Sequence, residues 1–131
     1  MTDLTGFQSK HLKLKQTGTC VQVVLCTPSI YEEEVIEQIG RDLNSLSDDF
    51  DCHRMVLDIK AVNLITSSLI GKFVQLHKKL KSHGGVLVMC GVQGHLETIF
   101  RASNLLNYFH VIPTVEKGAE FASCYSSDLE T

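Results

Sequence analysis

Two short apolar runs enclose an amphipathic stretch in the middle of the chain, and this arrangement constrains the fold more than any other feature. The runs, Met55 to Ile59 and Val86 to Cys90, are apolar at nearly every position, as strands buried on both faces of a sheet are. Between them, from Leu69 to Leu80, apolar residues recur at helical spacing, with lysines on the opposite side. Gly84-Gly85 ends this helix. A strand, a helix and a second buried strand predict a parallel pair with a helical crossover.

The N-terminal half adds a hairpin and a helix to this unit. Two alternating segments meet at Thr17-Gly18-Thr19, which predicts an antiparallel hairpin over residues 12 to 25. A first helix is predicted after Pro28-Ser29, with Glu32-Glu33-Glu34 in its first turn, where the helix dipole favours negative charge. Its apolar face comprises Val35, Ile36, Ile39, Leu43 and Leu46.

The C-terminal part continues the alternation of strands and helices. We predict a short helix around Leu96 to Phe100, a strand near Phe109 to Ile112 and a last helix from Thr114 to about Tyr125. The fold class is therefore α/β: a mainly parallel central sheet with an antiparallel opening hairpin and about four helices. We expect an N-terminal extension over residues 1–10, a single domain over residues 11–125 and a frayed tail over residues 126–131.

Composition narrows the classes of function. A chain of 131 residues with 44% hydrophobic content suits one globular domain. The net charge is only −3 and the lysines and arginines are scattered, which disfavours nucleic-acid binding. The apolar runs of the chain are far shorter than the roughly 18 residues that span a bilayer. The first six residues contain neither a basic nor an apolar run. We expect a cytoplasmic protein that does not insert into a membrane.

The residues that commonly bind metals are not arranged for it. The five cysteines are an odd number without a C-x-x-C pair, which argues against both a disulfide framework and a zinc site and indicates reduced thiols. The six histidines are dispersed, and none forms H-E-x-x-H or pairs with cysteines at ligand spacing. We therefore assign no metal and no catalytic residue.

Thr66-Ser67-Ser68, between the first buried strand and the amphipathic helix, is the main candidate site. The free N–H groups and positive dipole end of a new helix favour a phosphate. A serine hydroxyl there can accept a phosphoryl group and act as a switch, and Thr66 can cap the helix through its hydroxyl. The competing interpretation is a helix start without a regulatory role, because Ser and Thr are common at such positions.

From about Arg54 to Ala122 the chain resembles the STAS domain of bacterial anti-sigma factor antagonists. The resemblance is carried by the strand Met55 to Ile59, the segment Val62 to Gly71, and Gly84-Gly85-Val86-Leu87-Val88. It implies a domain without catalysis or cofactor, which binds an anti-sigma factor, a serine protein kinase or a related scaffold. It also implies that phosphorylation of one serine, which is Ser67 by position, breaks that contact.

The resemblance supplies further site residues and two departures. In that family the switch pattern is Asp-Ser-Ser/Thr-Gly-hydrophobic-Gly, so Thr66 replaces the Asp, Leu69 replaces the first Gly and Gly71 matches the second. We expect Leu69 to add bulk beside the acceptor. The frame of the switch is then Asn63, Thr66, Ser68 and Leu69. The expected partner contacts are Ser29, Tyr31, Glu32 and Lys72.

Two other functions remain open from the sequence. One is a STAS subunit that steadies the ATPase of a lipid-transporting ABC system. The other is a small phosphate-handling enzyme with Ser67 as nucleophile, although no base stands at a known activating spacing. Gly91-Val92-Gln93-Gly94 is interpreted as a plain turn, since it lacks the Lys of a P-loop. Asp58, at the end of a buried strand, is interpreted as a structural hydrogen-bonding group.

Overall fold

A computed structural model describes Leu4 and residues 6–125 and contains seven strands and five helices within those ranges. The strands are β1 Leu12–Thr17, β2 Cys20–Leu25, β3 Ser29–Ile30, β4 Arg54–Asp58, β5 Leu64–Ile65, β6 Val86–Cys90 and β7 His110–Ile112. The helices are α1 Glu33–Asp48, α2 Ser67–Ser82, α3 Gly94–Ala102, α4 Leu105–Tyr108 and α5 Val115–Cys124. Across the described part of the chain, no helix combines the length and the apolar character needed to cross a bilayer.

The central sheet has five strands in the order β1-β2-β4-β6-β7. The β1–β2 pair is antiparallel, with Thr17 opposite Cys20, and every other pair in this sheet is parallel. The prediction of a mainly parallel sheet with an antiparallel opening hairpin is confirmed. The crossover from β4 through α2 to β6 is the unit that the two apolar runs predicted.

Helices cover both faces of the sheet, and alternate residues of its inner strands face opposite layers. Met55 and Leu57 pack with the apolar faces of α1 and α2 in the larger core. Val56, between them, packs with α5 in a smaller core. Gly118 allows α5 to approach closely, since a Cβ at this position would come within 2.6 Å of the Cys90 sulfur. This double burial explains why both runs are almost wholly apolar.

Three short elements were not predicted. They are β3 and β5, which pair in parallel as a separate two-stranded sheet, and the four-residue helix α4. The described residues therefore contain five helices rather than about four. The first helix begins at Glu33, with Glu32 as its N-cap residue. The predicted tail, residues 126–131, lies outside the described residues.

The segment before β1 packs against the domain through its described residues. The Phe7 and Phe50 rings meet edge to face with centroids 5.7 Å apart. The Ser9 hydroxyl donates a hydrogen bond to Asp42 Oδ2 at 2.5 Å. These contacts attach residues 6–10 to α1 and to the residues that follow it.

All five cysteines are free thiols. Two of them, Cys52 and Cys90, have a raised pKa. Burial, with a smaller effect of the Asp51 charge, raises the pKa of Cys52 to about 11. Burial, followed by the charges of Asp58 and Glu116, raises the pKa of Cys90 to about 12. Both thiols are therefore protonated and weakly nucleophilic at neutral pH. Because the unfolded chain ionises first, their contribution to stability is lost as the pH rises from 9.0 through these values.

Candidate functional site

The candidate site forms where the chain leaves the carboxyl ends of β2 and β4. The short strands β3 and β5 pair there in parallel, with Ser29 opposite Leu64 and Ile30 opposite Ile65. The backbone N–H groups of Asn63 and Leu64 both donate to the Pro28 carbonyl oxygen, at 2.7 and 3.2 Å. The next residues of both segments, Tyr31-Glu32 and Thr66-Ser67, therefore leave this ladder side by side.

Alternation along the ladder divides its side chains between the core and the surface. Ile30 and Ile65 are buried. Leu64 is 40% exposed and Tyr31 is 60% exposed, which is unusual for large apolar side chains in this chain. Ser29, Glu32 and Asn63 are also exposed. Six of the predicted site residues thus lie around one surface, together with Leu64 and Gly71. We call these eight residues the switch surface: Ser29, Tyr31, Glu32, Asn63, Leu64, Ser67, Ser68 and Gly71.

Ser67 and Ser68 open α2 and are both exposed. No hydrogen bond to the Ser67 hydroxyl occurs among the described residues. Leu69 differs sharply from these serines, being fully buried in the larger core. The expectation that Leu69 adds bulk beside the acceptor is wrong, because its side chain points inward together with Phe73.

Thr66 occupies the N-cap position of α2 with extended backbone, at φ −105° and ψ 167°. The backbone suits a cap, but the side chain does not act as one. Thr66 Oγ1 is buried and has no hydrogen-bond partner among the described residues. The expectation that this hydroxyl caps the helix is therefore wrong, and the helix start holds a buried polar group without compensation.

The unpaired Thr66 hydroxyl predicts that its removal stabilises the domain. Thr66→Val keeps the shape of the side chain and removes the unpaired oxygen, so we expect the free energy of unfolding to rise by about 1 kcal/mol. Thr114 is a matched control, because it caps α5 and its hydroxyl accepts from Lys117 N at 3.3 Å. Thr114→Val should lower the free energy of unfolding by about 1 kcal/mol. Urea unfolding of both variants decides the matter, and a loss of stability in Thr66→Val would contradict the orphan assignment.

Gly71 lies one helical turn after Ser67 on the same face of α2. It is exposed, and a Cβ built at this position meets no atom within 4 Å. Nothing in the described fold requires glycine there, although glycine in a helix costs about 1 kcal/mol relative to alanine. The absent side chain leaves the surface between Ser67 and the next turn flat.

Lys72, a predicted partner contact, is engaged within the chain. Its Nζ lies 3.0 Å from Glu37 Oε2 of α1, and its aliphatic stem crosses Gly40. A Cβ at Gly40 would come within 3.0 Å of Lys72 Cδ. The lysine therefore ties α2 to α1, and its side chain is only 25% exposed. Asp58 also has a structural role, because its Oδ1 accepts from the Lys60 N–H at 3.0 Å.

Sequence reasoning missed Leu64 as a surface residue. It stands in an apolar segment between the buried residues Val62 and Ile65, and only the β3–β5 pairing turns it outward. The available signal was the strand period of two, since neighbours in a strand face opposite sides. No cluster of three or more metal-ligating side chains occurs among the described residues.

Comparison with known proteins identifies the class. The STAS domain family model matches residues 14–118. A protein of Bordetella bronchiseptica named as an anti-sigma factor antagonist, BtrV, is 26% identical over 108 residues, which cover 82% of this chain and 92% of BtrV. The chain belongs to the STAS domain family.

Two solved structures share the fold. A Thermotoga maritima protein described as an anti-sigma factor antagonist superposes with a TM-score of 0.76 at 17% identity, covering 87% of this chain and 96% of that one. The phosphorylated form of the Bacillus protein SpoIIAA superposes with a TM-score of 0.64 at 15% identity, covering 83% and 96% of the two chains. At these identities the likeness establishes the fold alone.

Proposed function

We propose that this STAS domain is a non-enzymatic regulator that binds an anti-sigma factor or a serine protein kinase, or a related signalling scaffold, through the switch surface. Phosphorylation of Ser67 then controls that contact. The observation that carries the proposal is the exposed Ser67 at the start of a helix, beside the two exposed apolar side chains Tyr31 and Leu64. The domain works in the cytoplasm and needs no cofactor of its own.

The exposed apolar side chains supply the affinity. An aromatic residue at the centre of a contact commonly contributes a large share of binding energy, and Tyr31 is the most exposed large apolar residue among those described. Leu64 lies on the paired strand, so a partner that covers one also covers the other. Exposed Glu32 and Ser29 provide the polar rim that such contacts have.

A phosphate on Ser67 would affect the contact more than the fold. It adds a charge of about −1.5 to −2, which the N-terminus of α2 stabilises by roughly 0.3–1 kcal/mol. At an interface the same group must be desolvated, and each loss of about 1.4 kcal/mol weakens binding about tenfold. The similar SpoIIAA, an anti-sigma factor antagonist, has solved structures in unphosphorylated and phosphorylated forms. That pair supports the same kind of control here.

The two departures from the family pattern, Leu69 and Thr66, differ in how much they should affect recognition of Ser67 by a kinase. Leu69 is no obstacle to a kinase, since it lies in the core. Thr66 removes the carboxylate that precedes the serine in the family pattern. We propose that a kinase acting on this chain recognises the helix start and the surrounding surface rather than that carboxylate.

Neither alternative function receives support of its own. The relatives reported above are named as anti-sigma factor antagonists and not as transporter subunits. A nucleophilic role for Ser67 needs a base, and none is hydrogen-bonded to it among the described residues. The regulator is therefore the function that the site supports best.

The test is the capture of partners from the native cytosol by wild type, Ser67→Asp and Ser67→Ala, with identification by mass spectrometry. We expect wild type and Ser67→Ala to recover an anti-sigma factor or a serine kinase, and Ser67→Asp to lose it. Ser103→Asp, which places the same charge at an exposed serine after α3, is the control and should behave like wild type. An identical partner list for Ser67→Asp and wild type would refute the switch.

A further inference from the structure

The edge of the central sheet at β1 is long and regular. All six residues of β1 pair with β2 without a bulge, from Leu12 opposite Leu25 to Thr17 opposite Cys20. On its other side, β1 pairs with no strand among the described residues. The opposite edge of the sheet differs, because β7 has only three residues and is followed by Pro113. Short edge strands and prolines discourage the addition of another strand, so β1 is the edge that remains open to one.

The side chains of β1 alternate between the two faces of the sheet, and the two sets differ in character. Leu12 is buried in the larger core, and Leu14 packs against that core. Lys13 and Lys15 lie on the opposite face and are exposed. Neither lysine forms an ion pair among the described residues, whose ion pairs involve other side chains. The edge therefore presents apolar groups on one face and positive charge on the other.

A cavity of about 460 Å³ lies beside the apolar side of β1. It separates β1 from the segment that precedes it, and four of its six lining residues are apolar: Leu4, Phe7, Leu12 and Leu14, with Gln8 and Ser9. The far wall is held in place, because the Phe7 ring packs edge to face on Phe50. The apolar side of this edge therefore has room for a further side chain.

We infer that β1 accepts an extended segment of a protein partner as a sixth strand of the central sheet, and that acidic and apolar side chains alternate along this segment. In such strand additions, main-chain hydrogen bonds supply affinity, and pockets for alternate side chains supply specificity. The acidic side chains lie beside Lys13 and Lys15, since opposite charges on neighbouring strands attract. The apolar ones lie beside Leu12 and Leu14 and enter the cavity. The inference goes beyond the proposed function, because β1 is not part of the switch surface.

Charge favours such a partner over a second copy of this chain. Pairing β1 with the β1 strand of another copy would bring Lys13 and Lys15 of both copies onto neighbouring strands, and like charges in this arrangement are destabilising. Lysines at a sheet edge also deter unwanted strands. An acidic segment is the one kind of strand that these two lysines attract.

A defined peptide tests the edge without the partner. The probe is a blocked heptapeptide, Gly-Glu-Val-Glu-Val-Glu-Gly, titrated into the isotopically labelled full chain at low ionic strength and followed by NMR. We expect saturable chemical-shift changes centred on residues 12–17, with slower hydrogen exchange of the β1 amides that point away from β2. The isomer Gly-Glu-Glu-Glu-Val-Val-Gly has the same composition and charge without the alternation. It should bind at least about tenfold more weakly.

Charge-reversed variants separate strand addition from general attraction. Lys13→Glu with Lys15→Glu should weaken the apparent Kd of the alternating peptide about tenfold, because two cross-strand attractions become repulsions. The control, Lys78→Glu with Lys117→Glu, makes the same charge change at exposed lysines of α2 and α5 and should alter the apparent Kd less than about twofold. The NMR spectra of the free variants report whether both fold.

Other results would overturn the inference. It fails if the alternating peptide does not bind at millimolar concentration, or if it binds without protecting the β1 amides from exchange. Equal binding of the two peptides, or equal weakening by both charge-reversed variants, would mean attraction to charge alone. Protection of residues 12–17 that grows with the concentration of the free chain would mean that a second copy occupies the edge. Ser67→Asp should leave the titration unchanged, so this inference and the proposed switch fail separately.

Discussion

Leu69→Ala is expected to lower the free energy of unfolding by about 3 kcal/mol, and Leu69→Gly by about 4 kcal/mol. The side chain is completely buried against the larger core, and its truncation leaves a cavity. Glycine adds a cost in helix propensity, even though it is the residue of the family pattern at this position. Urea or thermal unfolding measures both variants.

Leu64→Ala is the matched control for this prediction. It is the same substitution five residues earlier, at a side chain that is 40% exposed, and should lower the free energy of unfolding by less than about 1 kcal/mol. If the switch surface binds the partner as proposed, the two variants should diverge in function as well: Leu64→Ala should weaken partner binding, and folded Leu69→Ala should retain it. A loss of stability below about 1 kcal/mol in Leu69→Ala would contradict its burial.

Gly71→Ala is expected to stabilise the domain and to weaken its partner binding tenfold or more. Alanine raises helix propensity by about 0.5–1 kcal/mol, and its methyl group meets no atom of the chain within 4 Å. If the proposed partner packs closely against this turn of the switch surface, the same methyl group should hold it away from Ser67. Calorimetry with the captured partner and urea unfolding of the free domain measure the two opposite effects.

A graded series supplies the control for Gly71. Gly71→Leu should fold as well as Gly71→Ala, because the space around the position is open, and should bind still more weakly. If affinity stays constant from glycine to leucine, the partner does not approach this turn. Gly71 would then be an unexplained cost to helix stability.

The order of the long elements could be predicted from the hydrophobic pattern. The hairpin, α1 and α2 carry enough residues for the periods of 2 and 3.6 to be distinguished, whereas the two buried strands show as short, continuous apolar runs. The two-residue strands β3 and β5 and the four-residue helix α4 each span about one period, which is too short for a repeating pattern to appear. Their formation depends on tertiary contacts, such as the two hydrogen bonds to the Pro28 carbonyl.

At the site, the residues themselves were a better guide than the family pattern in one case. Leu69 stands four residues before Phe73 and seven before Leu76, which already places it on the apolar face of α2. Alignment with a family glycine suggested instead a bulky group at the surface. For Thr66 the residue type suggested a cap, but the rotamer of a hydroxyl depends on packing that no local pattern contains. Exposure of Leu64 likewise depends on strand pairing with a distant segment.

The β3–β5 ladder has a consequence for the kinetics of recognition. It joins the segment that carries Tyr31 to the one that carries Ser67 by backbone pairing, so both halves of the switch surface are held in place before any partner arrives. Because little of this surface has to become ordered on binding, we expect an association rate constant of about 10⁵–10⁷ M⁻¹s⁻¹. Differences in affinity then arise mainly from the dissociation rate constant. We therefore expect a phosphoryl group on Ser67 to act mainly on the dissociation rate. It would shorten the lifetime of each complex and change the association rate much less.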